Sequence, residues 1–97
     1  MNKSDIIEVL DMCHESINEL DEMIGLFSRS AYLSESHRCL AVKKICDFID
    51  LVSERFKLTS ELVHGVTKGD GAINMMEFYQ TILDQRINQW NTLKNER

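Results

Sequence analysis

The chain has 97 residues, no proline, 43% hydrophobic and 28% charged composition, which describes one small globular domain, too short for two cores and too apolar for a disordered chain. Eleven Lys and Arg against sixteen Asp and Glu leave a net charge of −5 and a pI near 5.1. That balance argues against direct binding to nucleic acid or to an anionic membrane surface, both of which draw affinity from basic side chains.

The first element is the strongest signal in the chain. Ile6, Leu10, Cys13, Ile17, Leu20, Ile24 and Phe27 recur at spacings of 4, 3, 4, 3, 4 and 3, which sets them on one stripe of a helix with a period of 3.5. Ser4 is the expected N-cap, with Asp5 in the first turn, and the stripe ends where Ser28 and Ser30 compete for backbone hydrogen bonds. The first helix is therefore expected over about 5–28. Gly25 falls inside it at a cost of about 1 kcal/mol relative to alanine, which marks a close helix contact or a fraying end.

The second helix is expected over about 34–64, opening at Ser34. It carries Val42, Ile45, Ile49, Val52, Phe56, Thr59 and Val63 on another heptad stripe. Ala41, Phe48 and Leu62 flank that stripe and Leu51 and Leu58 lie beyond them, so about half of the circumference is apolar. Such a helix is expected at the centre of the bundle, touching more than one neighbour.

Three glycines between Gly65 and Gly71 make the clearest linker. The third helix, expected over about 72–94, restarts at Asp70 or at Asn74, where Asn74 and Glu77 form a capping box. It carries Met76, Tyr79, Leu83, Ile87, Trp90 and Leu93, with Arg86 on its apolar side, where a second helix or subunit is expected to meet it. No strand-like alternation or internal repeat occurs, so the expected fold is all-α: one domain over 1–97, an antiparallel three-helix bundle. A chain of this size buries roughly 60% of its unfolded surface, so covering leftover apolar area favours a homodimer.

The candidate chemistry is thin. Gly71, Ile73 and Glu77 fall at positions 6, 8 and 12 of an EF-hand loop, but Val66 and Lys68 stand where calcium needs oxygen ligands. Asp11 with His14, and Glu61 with His64, are each one helical turn apart, the spacing that di-iron bundles use in pairs, without the further inward carboxylates such a site needs. His37 has Cys39 near it and no third ligand. Cys13, Cys39 and Cys46 form an odd set without a CxxC, and Cys39 and Cys46 are about 10.5 Å apart along one helix, too far to share an ion. They read as reduced, apolar thiols. No nucleophile, base and acid grouping and no phosphate loop is present in the sequence, so neither enzymatic activity nor a metal or other cofactor is expected.

The uneven charge is more informative. Residues 1–27 carry seven acids against one base, Lys3, a net of −6. Glu8, Glu15 and Glu22 repeat every seven residues opposite the apolar stripe, with Asp5, Asp11 and Glu19 beside them. An ordinary solvated face accounts for acids there, but not for the missing lysines, because pairs such as Asp11 with Glu15 and Glu15 with Glu19 each cost a few tenths of a kcal/mol that Glu to Lys pairs would reverse. The expectation is a small acidic regulator that binds and modulates or inhibits a protein partner, a basic one by charge, through Glu8, Asp11, Glu15, Glu19 and Glu22. The competing expectation is a structural or chaperone-like subunit that packs a partner helix into an apolar groove on the second and third helices.

The longest apolar runs are only a few residues, far short of the roughly 20 that span a bilayer, so no membrane association is expected. The opening Met1-Asn2-Lys3-Ser4-Asp5 turns acidic at once and lacks the apolar core of a secretion signal, which makes the cytoplasm the expected location.

Overall fold

The computed structural model describes residues 3–30, 33–66 and 70–95. They form three helices, α1 (Lys3–Arg29), α2 (Glu35–Val66) and α3 (Asp70–Leu93), and among the described residues there is no strand. The bundle measures 50 × 18 × 17 Å. Its radius of gyration of 15.6 Å exceeds the roughly 12–13 Å of a rounded domain of this length, because each helix runs nearly the whole length of the molecule.

The helix ends are set locally. α1 begins one residue before Ser4, so that serine sits in the first turn rather than capping it. At the other end the Ser28 hydroxyl donates to the Gly25 carbonyl at 2.9 Å, and the Ser30 hydroxyl donates to the Leu26 carbonyl at 2.6 Å, an acceptor that the last turn leaves open. Ser34 caps α2: its hydroxyl accepts the His37 backbone N–H at 3.2 Å and its carbonyl accepts that of Arg38 at 2.8 Å.

One boundary differs from the sequence reading, and another falls to one of its two alternatives. α2 runs through Gly65 to Val66, beyond the His64 terminus expected for it. α3 starts at Asp70, and Asn74 and Glu77 lie inside it, so the capping box does not open this helix. The earlier start lets Ala72 pack against the core one turn before Met76. The EF-hand comparison fails on the same ground, since its second half is continuous α3; residues 67–69 lie outside the described residues.

The expected stripes are the core. Leu10, Cys13, Ile17, Leu20, Ile24 and Phe27 of α1 are buried, as are Ile45, Ile49, Val52, Phe56 and Val63 of α2 and Met76, Leu83 and Trp90 of α3. Ile6, Val42, Tyr79, Ile87 and Leu93 are half-buried around them. All three helix pairs pack together, but α1, not α2, shares its surface most fully with both neighbours. The extra apolar residues assigned to a central α2 are therefore not absorbed: Leu51 and Leu58 remain about half exposed.

Particular contacts tie the helices along their length. Near one end Phe27 meets Trp90 edge-to-face with centroids 5.0 Å apart, the Arg38 guanidinium lies 4.6 Å over the Phe27 ring, and the Trp90 indole N–H donates to Cys46 Sγ at 3.5 Å. Farther along, Arg86 Nε donates to Asp21 Oδ1 between α3 and α1. His14 stacks on Tyr79 at 5.7 Å, and Cys13 and Thr59 line the same seam between α1 and α2. The neighbour expected for Arg86 is thus α1 of the same chain.

Candidate interaction surface

Glu8, Asp11, Glu15, Glu19 and Glu22 are all exposed on α1. At 100° per residue they fall within about 80° of one another on the side away from the buried stripe. None of the five makes an ion pair or hydrogen bond with another described residue. Asp21, only two positions from Glu19, is rotated toward α3 and pairs with Arg86. The structure therefore separates one structural carboxylate from five that face solvent.

Glu15 and Glu19 also border a groove of about 330 Å³ between α1 and α2. Cys13 and Phe56, both buried, form its floor, Met12 and Leu58, each more than half exposed, stand on opposite walls, and Arg55 lies on the α2 rim. This groove lies between the first and second helices, a different seam from the one between the second and third where the sequence suggested a partner helix would pack. Val9, Met12 and Ser16, spaced 3 and 4, mark the α1 wall as a second, weaker stripe beside the core stripe. Burial pushes the Cys13 thiol above its usual range, and the Thr59 hydrogen bond only partly opposes this, so the floor of the groove is a neutral thiol rather than a nucleophile.

A second cavity, between α1 and α3, is lined by Asp21, Ile24, Gly25, Ser28, Arg86 and Gln89. The Asp21–Arg86 pair already satisfies its charges.

The histidines are engaged locally. His64 Nδ1 lies 2.7 Å from the Ser60 carbonyl of its own helix, His37 Nδ1 lies 2.9 Å from the Ser34 hydroxyl, and His14 stacks on Tyr79. Among the described residues no three His, Cys, Asp or Glu side chains come together as a metal site would require. Among the described residues no helix is long and apolar enough to cross a membrane. Comparison with protein-family models, with curated proteins and with solved structures finds no match.

Proposed function

We propose that the protein is a small acidic regulator that binds a basic protein partner through the exposed carboxylates of α1, and so modulates or inhibits it. The supporting observation is that Glu8, Asp11, Glu15, Glu19 and Glu22 share one exposed face without a single intramolecular cation among the described residues. Such a face is kept against like-charge repulsion of a few tenths of a kcal/mol per neighbouring pair. It gives a partner with a basic patch faster association and the right register.

The same reading takes the molecule as an antiparallel bundle. The contact of Phe27 in α1 with Arg38 early in α2, and the seam that Cys13 shares with Thr59 late in α2, support that arrangement. It also takes the protein as a cytoplasmic homodimer that acts without catalysis, cofactor or direct nucleic-acid contact.

A second reading is favoured by the groove between α1 and α2, which has an apolar floor and two acids on its rim. In this reading a partner helix packs over Met12 and Leu58, helix into groove. Salt distinguishes the two, because steering by exposed charge is screened with a Debye length near 8–10 Å at 0.10–0.15 M salt and about 3 Å at 1 M, whereas apolar packing is not. The test is affinity capture on the wild-type protein and on E15K/E19K/E22K at low and high salt, read by mass spectrometry. Proteins held by the wild type and released both by the triple reversal and by salt support the acidic face. An identical set on both baits overturns it.

A further inference from the structure

Four leucines of α2 are exposed: Leu40 at 51%, Leu51 at 48%, Leu58 at 57% and Leu62 at 37%. They do not scatter around the helix. With Lys44, Asp47 and Arg55, also exposed, they form one face whose successive spacings are 4, 3, 4, 4, 3 and 4. That series is the same from either end, with Leu51 at its centre. Any helix face of this kind can meet a second copy of itself in an isologous contact, in which residue i of one copy meets j of the other and j meets i, so what distinguishes this face is the exposed leucines and the charges set on it.

Resting on the homodimer proposed above and adding to it, we infer that two copies pair through this face of α2, antiparallel and with the two-fold axis at Leu51. Leu40 then meets Leu62 of the second copy, the aliphatic stem of Lys44 lies along Leu58, Leu51 meets itself, and Asp47 meets Arg55. The charge pattern selects this arrangement. A parallel pairing would set Lys44, Asp47 and Arg55 each against its own like charge, whereas the antiparallel one makes two Asp47–Arg55 pairs. Arg55 has no carboxylate partner among the described residues. Among the described residues Asp47 has only Lys43, at 3.3 Å on an open surface where both side chains are mostly exposed, an interaction weak enough to be replaced. From Leu40 to Leu62 the contact extends about 33 Å at 1.5 Å per residue.

The face lies on α2, whereas the carboxylates assigned to the regulatory partner lie on α1. Arg55 and Leu58 are, however, also a wall of the α1–α2 groove. A second copy seated there takes the place of the foreign helix in the second reading above.

Sedimentation equilibrium of the wild type, R55D, D47R, D47R/R55D and L51K tests the interface, with circular dichroism to confirm that each variant keeps its helices. The wild type should sediment at twice 11.3 kDa. R55D and D47R each place like charges across the axis twice over and should weaken the dimer by about tenfold or more, the double reversal should restore it, and L51K should give a folded monomer. Single reversals with the wild-type dissociation constant, or a double reversal no tighter than the singles, overturn this interface while leaving the dimer itself intact. A wild-type protein that sediments at 11.3 kDa at tens of micromolar removes the dimer as well. Neither result bears on the carboxylates of α1.

Discussion

Trp90 of α3 meets Phe27 of α1 edge-to-face, with ring centroids 5.0 Å apart and planes at 78°. Because the same indole donates to Cys46 Sγ of α2, one side chain touches all three helices where the heptad stripes end. Trp90 is 1% exposed and Phe27 4%, so truncating either leaves a cavity as well as losing transfer energy. Trp90→Ala and Phe27→Ala should each cost about 3–5 kcal/mol, which in a marginal domain abolishes the cooperative melt. Retention of the wild-type melting temperature in either variant would contradict the packing. As the chain has a single tryptophan, its emission reports unfolding directly and should move to the red as the three helices separate.

The middle of the bundle gives a sharper contrast. Leu20 and Val52 are fully buried, and Ile17 and Ile49 nearly so, while Glu15 is exposed without a partner. Leu20→Ala, Ile17→Ala and Ile49→Ala should each cost about 2–4 kcal/mol in urea denaturation. Glu15→Lys should be neutral or gain a few tenths of a kcal/mol by relieving its repulsion with Asp11 and Glu19. The reverse order would mean that the buried face of α1 has been misassigned.

Gly25 lies within α1, and the nearest atom to an added Cβ is the Arg29 guanidinium nitrogen at 3.3 Å, the far end of a flexible side chain. The glycine therefore serves neither a close helix crossing nor a helix end. Gly25→Ala should stabilise the protein by up to about 1 kcal/mol, a rise of a few degrees in the melting temperature. A lower melting temperature would show that Arg29 cannot move aside.

Cys13 predicts a pH dependence. Burial raises its thiol above the ordinary value of 9.0, so folding favours the protonated form. The resulting stability is fully present below pH 9.0 and is lost as the pH climbs from there through the folded-state value. Cys13→Ala should flatten that alkaline decline in a series of denaturant melts, and iodoacetamide should label exposed Cys39 well before Cys13. Equal labelling rates would contradict the burial.

The legible and illegible parts of this structure divide along a physical line. Every α1 position from Leu10 to Phe27 in the 4–3 series is buried, because a helix that must hide one stripe can do so only by repeating apolar residues at its own period. Arg86 could be placed on the inner side of its helix, but not opposite Asp21, since a charge pair 65 residues apart leaves no local pattern. The groove between α1 and α2 is illegible for a related reason. Heptads state which face of each helix is apolar, but not on which side of α1 and α2 the third helix settles, and that choice decides whether this seam stays open. The restart at Asp70 rather than Asn74 turned on Ala72 packing against the core, a tertiary contact that outweighs a local capping signature.

The central claim concerns the α1 carboxylates, and the association rate with a captured basic partner tests it most directly. Measured by stopped flow for the wild type and for E15K/E19K/E22K, that rate should fall about tenfold or more in the variant at low salt, and the difference should vanish at high salt. The helical circular dichroism should stay unchanged. A triple reversal that associates at the wild-type rate at low salt would reduce the acidic face of α1 to solvated surface.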